Sequence, residues 1–215
     1  MRFFNLLKMI SPPFIINSLN ELISKINVII AKKKLVGQKK LHLACGGNIL
    51  DKWANIDFKT CDVVIGLNLT KPLPVRSGTI ELVFSEHFIE HVSFIEAKRL
   101  LAECFRVMQP NGILRLSTPC LKKIIDEYLL GRTSEWCELG WNPETPCQMV
   151  NEGLRLWGHQ FVYDFSELKW ILEDAGFEEV KQVIWHESTT PALRKLECRP
   201  FHGDIILEAI KNPHK

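Results

Sequence analysis

From Lys40 onward the chain alternates short apolar runs with amphipathic stripes, and that alternation confines it to one fold class. Residues 41–44, 55–57, 63–65 and 79–85 read as strands, with Pro72, Pro74 and Ser77-Gly78 marking the loop before the fourth. Ser93 and Glu96 then form a capping box for a helix whose stripe is Ala97, Leu100, Leu101, Cys104, Phe105 and Met108, ended by Pro110-Asn111-Gly112. Residues 113–117 read as a buried strand. Later, Asp164 and Glu167 cap a helix carrying Phe165, Leu168, Ile171, Leu172 and Ala175, and Gly176 closes it. Residues 180–185 and 204–209 are the last strands. The pattern predicts an open α/β sheet with helices on both faces.

In such a sheet, ligands bind outside the carboxyl ends of the strands, where strand order reverses. The stretch LHLACGGNILDKWANIDF sits at that place. Its glycines let backbone approach a ligand closely, and Asp57, ending the second strand, is placed to accept hydrogen bonds from ribose hydroxyls. The loop is therefore shaped for a nucleoside. It does not fit a dinucleotide: Ala44-Cys45-Gly46-Gly47-Asn48-Ile49 lacks the three-glycine fingerprint that opens into a helix, and Asp57 arrives too early.

The remaining features exclude more than they assign. A length of 215 residues suits one domain with an appendage, and a formal net charge of +2 does not suggest nucleic acid. Seven scattered cysteines, with no CxxC and no zinc-type Cys/His spacing, read as reduced thiols of a cytosolic protein, mostly filling the core. No carboxylate cluster suggests a metal, so metal-independent chemistry is expected.

Residues 1–36 read as a separate helical segment. MRFFNLLKMI is broken by Asn5 and Lys8, so neither a membrane span nor a signal peptide is expected. Ser18 and Glu21 have the form of a capping box, and Ile15, Leu19, Leu22, Ile23, Ile26 and Ile30 recur at helical spacing ahead of Lys32, Lys33, Lys34, Lys39 and Lys40. Two expectations stand for that stripe: packing on the domain or on a second copy of the chain, and peripheral contact with an anionic bilayer at the inner face of the membrane.

From about Lys39 to the end, the motifs resemble those of class I S-adenosylmethionine-dependent methyltransferases. LHLACGGN looks like their first motif and NID like the ribose-holding acid. LNLTKPLPVRSGTIELVFSEHFIEHV looks like the adenine loop, fourth strand and following helix start; RVMQPNGILRLSTP like the fifth-strand entry; LKWILEDAGFEEV like the helix and strand after the substrate region. NEGLRLWGHQFVYD and HESTTPALRKLE look most like methyltransferases found among bacterial surface-polysaccharide genes. The resemblance implies a domain over 37–215 with a seven-stranded Rossmann-like sheet flanked by helices, its last strand antiparallel, and a substrate-covering insertion over 121–160. It also implies S-adenosylmethionine as cofactor, held by Ala44, Cys45, Gly46, Gly47, Asp57, Phe58, Asn68, Leu69 and Glu86. Ala44 stands where the family usually has glycine, and Asn68 where it often has an acid.

The implied reaction is methyl transfer, most closely to a sugar hydroxyl of a surface glycan or its precursor. Another small metabolite, a lipid or a protein as acceptor remains an alternative, as does a non-catalytic cofactor-binding subunit. A hydroxyl needs a base, and histidine is the commonest. His87, just past the fourth strand, and His159, after the insertion, are the catalytic candidates. His186 with Glu187 ends the sixth strand, while His42 and His91 read as structural and His202 and His214 have no motif around them. Within the insertion, Tyr128, Trp136, Trp141 and Trp157 could face a sugar ring, and Arg132 and Arg155 an anionic group.

Overall fold

The computed structural model describes residues 13–133 and 140–212. Helix α1 (Pro13–Lys34) precedes a seven-stranded sheet. Its strands are β1 (Lys40–Leu43), β2 (Ala54–Asp57), β3 (Ile65–Gly66), β4 (Ile80–Glu86), β5 (Met108–Thr118), β6 (Glu178–Gln182) and β7 (Ile205–Ile210). The order is β3-β2-β1-β4-β5-β7-β6, with β7 antiparallel to both neighbours and the β3-to-β5 run parallel. Strand order reverses between β1 and β4, where Leu43 pairs with Ser85. The seven strands and the antiparallel β7 are those the resemblance implies.

Alternation along the strands divides two cores. Leu41, Leu43, Ile56, Val83, Leu114, Leu116, Leu207 and Ala209 face one side, and are buried there with Ala31 and Leu35 of the N-terminal segment and with the stripes of α2 (Phe94–Val107) and α5 (Phe165–Asp174). The other side carries Leu82 and Phe84, covered by Leu50, Trp53, Leu193 and Leu196. A buried cation straps that covering down. Arg115 on β5, fully buried, lies 2.6 Å from both Glu197 and Glu208 and donates to the Glu187 carbonyl. Asn55 does similar work for the loop before β2, accepting from Leu50 N–H and donating to the Leu50 carbonyl, each at 3.0 Å.

Local signals explain the helix ends. Ser93 and Glu96 form the expected capping box, and Asp164 accepts from Glu167 N–H at 2.8 Å. Gly176 follows α5 at φ 105°, and a Cβ there would stand 2.8 Å from the Phe105 ring, so only glycine fits. Two further helices, α3 (Leu121–Leu129) and α4 (Pro146–Arg155), lie within the 121–160 interval and share a small core of Ile124, Trp141, Met149 and Val162.

Several boundaries differ from the sequence expectation. Helix α1 begins at Pro13, a residue suited to the first helical position, so Ser18 and Glu21 fall inside the helix and not at its N-terminus. Its last turn holds Lys32, Lys33 and Lys34, which complement the helix dipole. Met108 belongs to β5, paired with Ile80, and Pro110-Asn111-Gly112 falls inside that strand, where the register slips and Asn111 adopts φ 61°. A turn signal here marks an irregular strand entry. The cysteines are also less buried than expected: Cys45 and Cys104 are buried, whereas Cys61, Cys147 and Cys198 are exposed. Residues 1–10, Trp136, Cys137 and His214 lie outside the described residues.

Candidate active site

Beyond β1 the backbone turns sharply. Ala44 and Gly46 adopt φ 54° and 53°, Cys45 N–H donates to the Ile56 carbonyl, and Asn48 N–H donates to the Cys45 carbonyl at 2.9 Å. Alanine holds a left-handed conformation that suits glycine better, at a cost of about 1–2 kcal/mol. The Asp57 carboxylate lies against this turn, accepting from Gly46 N–H at 2.9 Å and from Phe58 N–H at 2.6 Å. Nothing stands within 4 Å of where a Cβ on Gly46 or Gly47 would project. An open cradle with a carboxylate beside it fits a ribose and the chain attached to it, and thus S-adenosylmethionine.

Other residues implied as cofactor contacts are differently engaged. The Asn68 side-chain oxygen accepts from both N–H and hydroxyl of Thr70, at 2.9 and 2.8 Å, so an adenine amino group would have to displace one of them. Leu69 is buried and Phe58 is 75% exposed. Glu86 accepts from Cys198 N–H and Arg199 N–H, each at 3.1 Å, and its carboxylate thereby anchors the segment before β7.

A second constellation starts one residue past β4. His87 sits at φ 49°, its N–H held by the Ser117 carbonyl, a strained conformation of the kind that recurs at functional sites. Its Nδ1 lies 3.4 Å from Glu90 Oε1 and its Nε2 3.4 Å from Asp204 Oδ2. Burial pulls the imidazole pKa down, but the Asp204 and Glu90 carboxylates outweigh it and hold the ring up at about 9. The ring is thus charged at neutral pH, whereas a histidine of ordinary pKa would turn neutral between pH 6 and 7. Glu90 is fully buried; Oε2 accepts from the Thr118 hydroxyl at 2.9 Å, and Oε1 has no hydrogen-bond partner. Burial raises its pKa, but the His87 contact prevails and keeps the carboxyl below its ordinary value.

His87 and Asp204 open into a cavity of about 210 Å³ that His91, Trp141, Trp157 and His159 also line. The two indoles meet edge to face at 5.4 Å, and Trp157, 56% exposed, also approaches the His159 ring at 5.6 Å. Trp141 Nε1 donates to Glu152 at 2.6 Å. His159 Nδ1 is 2.9 Å from the Gly153 carbonyl, and its ring meets His91 edge to face at 4.9 Å.

His87 and His159 therefore reach one cavity, as candidates for one site must. Neither Arg132 nor Arg155 is among its lining residues, whereas Arg199 is. Nε2 of His186 lies 2.9 Å from the Glu197 carbonyl, and the ring stacks on Trp185. His42 is buried, its Nδ1 3.1 Å from Asn55 Oδ1, as a structural histidine should be. Glu90, Asp204 and Arg199 were not singled out in the sequence, and His91 was read as structural. Glu90 offered one signal, its position three residues after His87. Asp204 offered none, because only the reversed direction of β7 brings its start to the carboxyl end of β5, where Thr118 pairs with Ile205.

Residues 48–116 match the family described as a methyltransferase domain. A protein of Mycolicibacterium smegmatis described as a probable S-adenosylmethionine-dependent methyltransferase is 29% identical over 138 residues, 64% of this chain. The chain spans 42% of that curated relative's length. Among solved structures, a SAM-dependent methyltransferase of Archaeoglobus fulgidus shares the fold at TM-score 0.50 and 18% identity, covering 86% of this chain and 94% of its own. Another, from Thermotoga maritima, does so at TM-score 0.52 and 14% identity, over 92% and 96% of the two chains. Sheet order and glycine turn are similar to those of methyltransferase domains, and the family match covers residues 48–116. The relatives it resembles are described as S-adenosylmethionine-dependent, which supports S-adenosylmethionine as the cofactor.

Proposed function

We propose that the chain methylates a sugar hydroxyl of a surface glycan or its precursor, using the cavity beside His87 as the acceptor site. The observation that carries this reading is the joining of two kinds of wall in one cavity: the Trp141–Trp157 pair and the His87–Asp204 pair. Flat rings suit the apolar face of a sugar, and a proton-accepting pair suits its hydroxyl. The likeness of NEGLRLWGHQFVYD and HESTTPALRKLE to methyltransferases of surface-polysaccharide genes points the same way.

Bound S-adenosylmethionine supplies a methyl carbon made electrophilic by the attached sulfonium. Asp57 and the turn over 44–47 would hold the ribose and the adjoining chain. The cavity walls hold the acceptor near that turn, since β4 and β1 are paired neighbours there, and such alignment is worth up to about 7–11 kcal/mol. In its neutral form, the minor one at neutral pH because the ring is held up at about 9, His87 receives the proton that the acceptor hydroxyl loses, while Asp204 and Glu90 keep the ring oriented. His159, with Nδ1 tied to the Gly153 carbonyl, fixes the indole wall and is the alternative base.

The turn keeps its cofactor-binding shape despite the Ala44 side chain, because Ala44 adopts the left-handed conformation. Helix α1 has a place beside this function. Leu22, Ile26 and Ile29 are exposed next to the lysine cluster, which supports contact with an anionic membrane surface or a second copy of the chain. No helix among the described residues is long and apolar enough to cross a membrane. Labelled S-adenosylmethionine offered with sugar, quinone, lipid and peptide acceptors tests the proposal. Label in the sugar acceptors is expected; label confined to the others would overturn the acceptor assignment.

A further inference from the structure

Two histidines of the cavity and the buried Glu90 beside them converge in a way that methyl transfer does not require. Glu90, His91 and His159 present ligand atoms that all lie within 4.8 Å of one another. Glu90 Oε1 is buried without a hydrogen-bond partner and faces ring nitrogens, with His87 Nδ1 at 3.4 Å and His91 Nε2 at 3.8 Å. The charged His87 ring offsets part of the cost of burying that acceptor, but no hydrogen bond closes on Oε1, and a directly coordinated cation would satisfy it. The Gly153 carbonyl can only accept, so His159 Nδ1 carries the proton of the neutral ring and Nε2 is left with its lone pair. That is how an outer carbonyl orients a metal-binding histidine.

We propose that Glu90 Oε1, His91 Nε2 and His159 Nε2 bind one divalent first-row transition-metal ion, with Zn²⁺ the best match. Two imidazoles and a carboxylate form a borderline-soft donor set that suits such ions and disfavours Mg²⁺ and Ca²⁺. Ligands on a tetrahedral zinc stand about 3.3 Å apart, so His91 Nε2 needs to close on Glu90 Oε1 by about half an ångström and the widest pair of ligand atoms by up to about 1.5 Å. His91 is partly exposed and has room to do so. His87 competes for the same oxygen but keeps Asp204 as a second partner, which frees Glu90 for the ion. Three protein ligands leave a coordination position for water or an acceptor oxygen, on the side where the cavity opens. This departs from the metal-independent chemistry that the sequence suggested, because the three ligands are too scattered along the chain to show as a motif.

The test uses the full chain, freed of metal by a chelator and titrated with Zn²⁺ by calorimetry and with Co²⁺ by visible absorption. One equivalent is expected to bind with micromolar or tighter affinity. His91→Ala and His159→Ala should each weaken it by about tenfold or more, and His202→Ala, another cavity histidine, should leave it unchanged. Absence of one-equivalent uptake, or wild-type affinity in both ligand variants, would overturn the site. A thiolate-to-cobalt charge-transfer band in the unaltered chain would do so as well, by placing the ion on cysteine, and that reading needs no variant to fold. Neither titration involves methyl transfer, so this site and the acceptor assignment fail separately.

Discussion

Asp204 and His87 meet at 3.4 Å across the end of the sheet, one at the start of the antiparallel last strand and the other just past β4. Because each sits at a strand end, their contact depends on the sheet closing correctly as well as on either residue. Asp204→Asn keeps the shape of the side chain and removes the charge. Turnover is expected to fall about tenfold or more while S-adenosylhomocysteine affinity stays within a few-fold, since the cradle over 44–57 is untouched. Single-turnover kinetics and calorimetry check the two halves.

Asp57 supports both the glycine turn and the ribose. Replacing it with alanine should cost about 1.5–3 kcal/mol per charge-assisted bond lost, or about tenfold or more in S-adenosylhomocysteine affinity. Asp57→Asn, which retains one acceptor for Gly46 N–H, should lose less. Calorimetric titration separates the two, and unchanged affinity in a folded alanine variant would remove Asp57 from the cofactor site.

Arg115 makes its case through stability alone. Arg115→Leu leaves Glu197 and Glu208 buried without their cation, and should lower unfolding free energy by about 3–5 kcal/mol in urea denaturation. Converting all three residues to apolar side chains of similar volume should recover much of that loss.

The sheet was legible because its strands and helices differ in hydrophobic period, and because Ser93 and Asp164 sit where capping demands them. The site was legible only in part. Asp57 ends β2, His87 follows β4 directly and Gly46 comes three residues after β1, so strand reading places them. Glu90 and Asp204 act through tertiary contacts, and a buried glutamate looks like any other in sequence. Pro110 misled for a related reason, since a turn residue inside a strand and one before it carry the same local signal.

His42 gives a pH signature of stability. Burial pulls its pKa below 6.5, against the hydrogen bond that Nδ1–H donates to Asn55 Oδ1 and the charges of Glu86 and Asp57, so the folded state resists protonating it. The unfolded chain binds that proton more readily, and the contribution is complete above pH 6.5 and declines as pH falls below it. Wild type minus His42→Asn in unfolding free energy should therefore shrink between pH 7 and pH 5. A pH-independent difference in urea titrations would contradict the assignment.

The most direct test of the account is methyl transfer by His87→Ala. The His87 side chain faces the acceptor cavity and pairs with Glu90 and Asp204, whereas Gly46 and Asp57 pair with each other at the turn. With the labelled cofactor and a sugar acceptor, turnover should fall by about 10²-fold or more while S-adenosylhomocysteine affinity stays within a few-fold of wild type. Near wild-type turnover in the folded variant would contradict the account and pass the base to His159.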